Sequence, residues 1–330
     1  MRPSPWPWRK AGRARAMLRD VLGGRTPRVL VQGATGRAAQ LHLRLMRRCG
    51  TEIVGGVSLT RKTPDVDGVP VFTGCAEAVL ETRADTSVIM VPALSVLPAI
   101  AEAIDAGIRL VVSVTEGMPV QDAMRAWHIV RDAGADWIGP STPGMAIPGR
   151  LKLGFLPDAA LAPGPIGVMS KSGTLSYEVC RRLVRRGIGQ SGWIGVGGDV
   201  VKGLRFADLV PTFHHHGGTR AVLVIGEIGG TEEEELAEAL RIHRFDKPVF
   251  VVLAGSSAPE GVTMGHAGAL IHGGRGTLAS KQEALSAAGA KVFTRMEDAV
   301  EAIAEAIGGG GMASGQSSEE TSRSVRPAGR

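Results

Sequence analysis

Arg28-Val29-Leu30-Val31-Gln32-Gly33-Ala34-Thr35-Gly36-Arg37-Ala38-Ala39 is the stretch on which the fold turns. A short apolar run enters a glycine-bearing turn, a helical stretch follows from about Gln40 to Cys49, and Glu52-Ile53-Val54-Gly55-Gly56-Val57 is a second strand. Strand, glycine turn, helix and strand in that order open a Rossmann unit. Glycines in the turn let the backbone approach a phosphate, and the helix N-terminus offers unpaired N–H groups to it. Ala39 stands where the third glycine of the fingerprint belongs, so the motif alone is a weak signal. The second strand ends in Ser58-Leu59-Thr60-Arg61-Lys62, with no carboxylate for ribose hydroxyls. Two cations there favour a phosphorylated ribose, as in NADP or coenzyme A, and fit a solvated basic loop as well.

Outward from this unit the α/β alternation continues. Ser87–Ala93 reads as a strand ending at a proline turn, Leu97–Ala106 as a helix, and Leu110–Val114 as a strand running into Thr115-Glu116-Gly117. A helix to Ala133 and a strand Asp136–Gly139 follow. Parallel sheets bind ligands at the carboxyl ends of their strands, which places Thr115 and Glu116 on the ligand edge. Pro140–Gly149 is dense in breakers and reads as a linker.

A second α/β run then begins. Pro165–Ser170 is a strand feeding Lys171-Ser172-Gly173-Thr174, and a helix continues to Arg186. Ser172, Gly173 and Thr174 at a helix start fit an anion site, and Ser172 or Thr174 fits an ordinary N-cap equally. Arg220–Gly230 is a strongly apolar strand carrying Glu227 at its carboxyl end. Glu232 to Glu235 then open a helix, where the dipole favours acids. The strand Lys247–Gly255 leads into the loop that holds Gly265-His266-Ala267-Gly268. An imidazole between glycines suits nucleophilic work or proton transfer and fits an ordinary loop histidine as well, and a carboxylate at Glu227 suits the orienting of a histidine. His214-His215-His216 diverge along the chain and read as an exposed loop.

Composition narrows the function classes. The chain has 330 residues, room for two cores, with 46 glycines and few aromatics. Its net charge is +6, but eight Lys or Arg lie within residues 1–28 against the single acid Asp20. The remainder is near neutral and no basic stripe interleaves with aromatics, which argues against a nucleic-acid partner. Cys49, Cys75 and Cys180 form no C-x-x-C pair, so neither a disulfide framework nor a metal site is expected, and a reducing compartment is favoured. No apolar run reaches membrane-span length. Residues 1–26 read as a basic disordered arm and the Gly/Ser-rich residues 308–330 as a disordered tail. A cytoplasmic location follows, with the mitochondrial matrix as the alternative.

Taken together, VQGATG, VGGV, SVIMVPA, VTEGMP, SKSGTLSYE, IGEIGG and MGHAGALI stand in an order and spacing that resembles the α subunit of succinyl-CoA synthetase (succinate–CoA ligase). The resemblance runs from about Pro27 to Ile307. It implies a Rossmann-like CoA-binding domain over residues 27–147 and a flavodoxin-like ligase domain over 148–307. It further implies that His266 is phosphorylated in turnover with Glu227 as its partner carboxylate. Ser172, Gly173 and Thr174 would cradle phosphate, and Tyr177 would lie on the substrate side. Thr35, Gly36, Arg37, Ala38, Arg61, Val114, Thr115 and Glu116 occupy the coenzyme A positions.

The activity so implied is an NDP-forming acid–thiol ligase. Phosphoryl from ATP or GTP passes to His266 and then to a short carboxylic acid, and the CoA thiol displaces phosphate from the acyl phosphate. The chain has no G-x-x-x-x-G-K-[ST] loop. The resemblance therefore implies that an ATP-grasp β subunit, in a heterodimer or heterotetramer, supplies nucleotide and Mg²⁺. Three places depart from the family pattern. Ser141-Thr142-Pro143-Gly144 replaces Asn-Cys-Pro-Gly, Val200-Val201-Lys202 replaces a proline-containing turn, and Arg61 stands for lysine. These departures leave malate, citrate or another short acid open beside succinate. A non-catalytic CoA-binding paralogue and an NADP-dependent oxidoreductase are the competing readings.

Overall fold

The computed structural model describes residues 16–60, 63–255 and 276–308. A helix α1 (Ala16–Leu22) precedes the first sheet. That sheet is built from β1 (Val29–Gln32), α2 (Arg37–Arg48), β2 (Ile53–Val57), β3 (Asp65–Val66), β4 (Val69–Phe72), α3 (Cys75–Thr82), β5 (Thr86–Ile89), α4 (Val96–Asp105), β6 (Leu110–Ser113), α5 (Val120–Asp132) and β7 (Asp136–Ile138). Its strand order is β3-β4-β2-β1-β5-β6-β7, parallel throughout except for the β3–β4 pair. From β4 to β7 this is the 3-2-1-4-5-6 order of a dinucleotide-binding sheet, whose crevice opens where the order reverses, between β1 and β5.

The apolar runs that define these strands have a simple cause. Helices cover both faces of a parallel sheet, so β1, β5 and β6 bury every residue and need no polar alternation. Helix α2 instead buries one stripe, Ala39, Leu43 and Met46, at helical spacing. The glycines of β2 are there for closeness: a Cβ on Gly56 would lie 2.6 Å from the Cβ of Ala34 in the turn after β1.

The second sheet comprises β8 (Gly144–Ile147), β9 (Leu151–Gly154), β10 (Pro163–Ser170), α6 (Gly173–Arg185), β11 (Gln190–Gly195), α7 (Phe206–His215), β12 (Ala221–Glu227), α8 (Glu232–Ile242), β13 (Val249–Ala254), α9 (Leu278–Ala287), β14 (Lys291–Phe293) and α10 (Met296–Gly308). Strands β14-β13-β12-β10-β11 are parallel, and β8 and β9 extend the β11 edge as an antiparallel hairpin. In chain order the parallel part reads 2-1-3-4-5, the flavodoxin-like order, with its switch point between β10 and β12.

Several expectations need correction. The arm of residues 1–26 is not irregular throughout: within α1, Met17, Leu18, Val21 and Leu22 are buried. The Leu18 N–H donates to Asp136 Oδ2 at 2.9 Å, and a Cβ on Gly192 would meet Leu22 at 2.5 Å. One helix thus touches β7 of the first sheet and β11 of the second. A single apolar cluster accordingly runs from Val29 and Val31 through α1 to Val222 and Val224. Pro140–Gly149 is not only a linker, because β8 lies within it and pairs with β11. Glycine has a steric cause here, since a Cβ on Gly144 would sit 1.8 Å from the Leu153 carbonyl oxygen. His214 and His215 close helix α7 rather than lying in a loop, and their rings meet edge to face at 5.0 Å. The β3–β4 pair and α3 had no counterpart in the sequence reading.

Candidate functional site

The first candidate region is the carboxyl edge of the first sheet. Gly33 leaves β1 at φ +81, and a Cβ there would lie 2.5 Å from the Met90 carbonyl oxygen after β5. Only glycine fits, because both the backbone angle and the space forbid a side chain. Gly36 N–H donates to the Gly33 carbonyl at 2.9 Å, closing the turn, and Gly36 then caps α2 with no side chain of its own. The first N–H groups of α2 therefore face outward beside the exposed Gly36, Arg37 and Ala38.

Thr35 is half-buried and its hydroxyl pairs with Ser58 Oγ at 3.0 Å, which links the turn to the end of β2. On the other side Thr115 Oγ1 donates to the Val91 carbonyl at 2.7 Å, and Val114 N–H to the Ile89 carbonyl at 3.2 Å. Glu116 is exposed beyond them. Thr35, Gly36, Arg37, Ala38, Val114, Thr115 and Glu116 thus share one sheet edge. Arg61 lies outside the described residues. The backbone cradle at Gly33–Gly36, which a Cβ would fill, fits a phosphate-bearing cofactor.

The second region lies at the switch point of the second sheet. Strands β10 and β12 run in register to Ser170 and Ile225, and Lys171 N–H donates to the Ile225 carbonyl at 3.0 Å. The next residues form the start of α6. Ser172 accepts from the Leu175 N–H at 3.3 Å as N-cap, and its own N–H donates to Ser170 Oγ at 3.1 Å. Thr174 is exposed in the first turn. Capping and an anion cradle are compatible, because one serine oxygen satisfies only one of the free N–H groups.

Glu227 closes β12 and is 8% exposed, beside the Gly229-Gly230 turn. Strand β13 delivers the chain to the same edge, ending at Ala254 opposite Glu227. His266 lies outside the described residues, between Gly255 and Gly276. The return is tied to this edge, since Gly229 N–H donates to the Gly276 carbonyl at 2.8 Å.

Beneath the edge lies a buried set of charges. Lys171 Nζ is 2.8 Å from Glu233 Oε1 and 3.6 Å from Glu232 Oε2, all nearly inaccessible to water. Lys202 Nζ is 2.8 Å from the same Glu232 oxygen and donates to the Gly197 carbonyl at 2.7 Å. Lys281, fully buried, pairs with Glu233 and sits 3.0 Å from Glu234. Arg205 completes the set with Glu235 at 3.0 Å. Burial alone would raise the Glu232 carboxyl, but Lys202, Lys171 and Arg205 hold it down at about 2. Glu233 is lowered likewise, against burial, by Lys171 and Lys281. Burial pushes the Lys171 ammonium down, and Glu233, Glu232 and Glu227 overcome it, so it stands above its ordinary value.

The sequence reading missed this network. In the sequence Glu232–Glu235 look like dipole-favoured helix-start residues, whereas in the structure Glu232, Glu233 and Glu235 are buried in ion pairs. The signal for Lys171 was its place between Ser170 and Ser172 at the end of an apolar strand. For Lys281 no local signal exists.

Tyr177, the sole tyrosine, packs edge to face on Trp193 at 5.7 Å, and its hydroxyl is buried with no partner among the described residues. Burial pushes it up to about 12, so it is a neutral donor near neutral pH. It belongs to the α6 start, because a Cβ on Gly173 would stand 3.4 Å from its oxygen.

The segment Ser141-Thr142-Pro143-Gly144 joins the two regions. Ser141 N–H donates to the Thr115 carbonyl at 3.0 Å, and Thr142 Oγ1 donates to the Gly195 carbonyl at 2.5 Å. Pro143 lies 3.8 Å from where a Cβ on Gly173 would be. A residue of the cofactor edge and the start of α6 are thereby held by one short loop.

Comparison with known proteins agrees with this architecture. Residues 25–117 match the CoA binding domain family and residues 169–291 the CoA-ligase family. The chain is 46% identical over 283 residues to succinate–CoA ligase [ADP-forming] subunit alpha 1 of Archaeoglobus fulgidus, covering 86% of this chain and 97% of that one. It is 44% identical to the corresponding alpha subunit of Aquifex aeolicus, covering 87% and 94%. It is also 41% identical to the ADP-forming sulfoacetate-CoA ligase subunit SauD of Bilophila wadsworthia, covering 81% and 92%. Among solved structures, ATP citrate lyase from Methanothrix soehngenii shares the fold at a TM-score of 0.77 and 22% identity. That match covers 92% of this chain and 53% of the longer lyase. By its two matched domains and its identity to these relatives along nearly their full length, the chain belongs to the succinate–CoA ligase α-subunit family.

Proposed function

We propose that this chain is the α subunit of an NDP-forming acid–thiol ligase that joins a short carboxylic acid, succinate first, to coenzyme A through a phosphohistidine at His266. The observation that carries this reading is the shared edge: Glu227 at the end of β12 and the Ser172–Thr174 helix start at the end of β10 flank one switch point. The loop containing His266 leaves from and returns to that edge.

The residues divide the work. N–H groups at the start of α6 donate to the oxygens of a phosphoryl group, whose charge the helix dipole favours. Glu227 holds the imidazole of His266 so that one ring nitrogen faces the phosphoryl donor, and stabilises the charge that develops on the ring. Tyr177, held neutral, donates its hydrogen to the acid. At the other edge the N–H groups of Arg37 and Ala38 hold coenzyme A, with Gly36 leaving room for it to approach, together with Thr35, Val114, Thr115, Glu116 and Arg61. Bound coenzyme A supplies the thiol that takes the acyl group. The loop from Ser141 to Gly144 fixes the two edges relative to one another. A covalent phosphohistidine splits one difficult exchange into separate steps. An ATP-grasp β subunit supplies ATP or GTP with Mg²⁺.

A second acid is favoured by one finding, the 41% identity to a sulfoacetate-CoA ligase subunit. Sulfoacetate, malate and citrate belong beside succinate in the substrate screen.

The test is phosphate incorporation from labelled ATP or GTP into the chain co-expressed with its β subunit, for the native protein and His266→Ala. Acid-labile label that vanishes in the variant is expected. An intact complex that binds nucleotide and coenzyme A yet takes up no label would overturn the reading, and a non-catalytic CoA-binding role would replace it.

A further inference from the structure

The Lys171–Glu233–Lys281 chain is buried more deeply than any ion pair at the molecular surface, and the reaction proposed above does not use it. Glu233 has no exposed atom, and its Oε1 accepts two hydrogens: the Lys171 ammonium at 2.8 Å and the main-chain N–H of Glu227 at 3.2 Å. Its other oxygen accepts from Lys281. Lys171 is the residue immediately before the α6 cap, and Lys281 also donates to the Gly230 carbonyl at 3.2 Å. One carboxylate therefore touches the backbone that presents Glu227, the residue that precedes the phosphate cradle, and the cation that holds the turn after β12. Gly226 makes room for it: a Cβ there would lie 2.7 Å from Glu233 Oε1.

A buried ion pair of this kind is a poor stabiliser, because desolvation of both ions offsets most of their attraction. Fixing one geometry at strand ends is the better explanation of its form.

We infer that Glu233 is a positioning residue, holding Glu227 and the start of α6 in the mutual arrangement that phosphoryl transfer to and from the histidine loop requires. It acts through the Glu227 main chain and through Lys171, and touches no substrate. This inference rests on the ligase reading. Glutamine at 233 accepts through one atom only, so it satisfies Lys171 and the Glu227 N–H while turning an amide hydrogen toward Lys281. Aspartate keeps the charge but withdraws it by one methylene from the Glu227 N–H.

The experiment measures the rate of acid-labile labelling, kcat and the KM for coenzyme A in the αβ complex, with melting temperature alongside. The proteins are wild type, Glu233→Asp, Glu233→Gln and Glu234→Gln. Glu234 contacts Lys281 from the more open side and does not reach Glu227, so its variant controls for loss of a charge from the network. Glu233→Asp is expected to slow labelling and kcat about tenfold or more, as loss of a supporting contact does elsewhere, with the KM for coenzyme A unchanged, and Glu233→Gln, which keeps the acceptor for Lys171 and the Glu227 N–H, is expected to slow them less. Glu234→Gln labels at the wild-type rate. Should Glu233→Gln fail to fold, Glu233→Asp decides alone. A folded Glu233→Asp that labels at the wild-type rate overturns the role, and so does a fall matched by equal loss of coenzyme A affinity and melting temperature. Absence of label in the wild type overturns the ligase reading itself, and this role with it.

Discussion

Two switch points, one in each sheet, have been built from the same parts and finished differently. At the β1/β5 crevice the turn is held by glycines and neutral hydroxyls: Gly33 under Met90, Thr35 on Ser58, Thr115 on Val91. At the β10/β12 crevice the strand ends rest on a buried lattice of lysines and glutamates. Under the proposed function the contrast has a physical reason. A cofactor that arrives and leaves whole needs shape and N–H groups, and its charge is the same before and after. A site where phosphoryl charge is gained and lost needs its dipoles and charges fixed beforehand, so that nothing reorganises during transfer.

The sharpest way to break the contrast is Glu227→Gln. Labelling of the chain is expected to fall by roughly 10³-fold, the range of a lost acid–base or orienting partner. Coenzyme A binding, measured by calorimetry, is expected to stay as it was. If both fall together, the two crevices are not separable.

Next in size is Lys202→Met, which leaves Glu232 buried with its nearest cation, Lys171, at 3.6 Å and the Phe206 N–H at 3.0 Å. A cost of about 3 kcal/mol in urea unfolding is expected, as for a buried pair that loses one partner. Acid should reach the same lattice. Glu232 has a folded value of about 2 against an ordinary 4.5, so its contribution is complete above about pH 4.5 and is lost as the pH falls toward 2. Stability measured down that range is expected to decline, and to decline less in Lys202→Met.

Gly33→Ala tests the other crevice. Its φ of +81 and the Met90 carbonyl 2.5 Å away put the cost at about 2 kcal/mol, with weakened coenzyme A binding and unchanged labelling per folded chain. Smallest is Ser172→Ala, which removes the cap of α6 for about 1 kcal/mol in unfolding.

The two crevices were unequally legible in the sequence. The turn of the first was visible, because Gly33, Thr35 and Gly36 are neighbours along the chain between a strand and a helix, although that motif alone does not fix the ligand. In the second, Ser172 and Glu227 were visible for the same reason, each at the end of an apolar run. The lattice beneath was not. Lys171, Lys202, Glu233 and Lys281 come from four separate segments, and only the parallel crossings of β10, β11, β12 and β13 bring them together. Four consecutive glutamates look like a solvated helix start until their burial is known. Lys202 stands out in sequence only as part of a departure from a proline turn, whereas in the structure it ties the Gly197 carbonyl to Glu232. Strand β8 was hidden by prolines and glycines that also make good linkers. Helix α1 was hidden by the basic residues that precede it.

That small helix has a mechanical meaning. Its Leu18 holds Asp136 at the edge of one sheet, its Leu22 fills the space over Gly192 in the other, and Arg150 donates to its Val21 and Leu22 carbonyls. None of its residues is among those assigned to either crevice. It nevertheless acts as a spacer bar: the angle between the sheets, and so the gap between the two crevices, is braced by seven residues that come before the first strand.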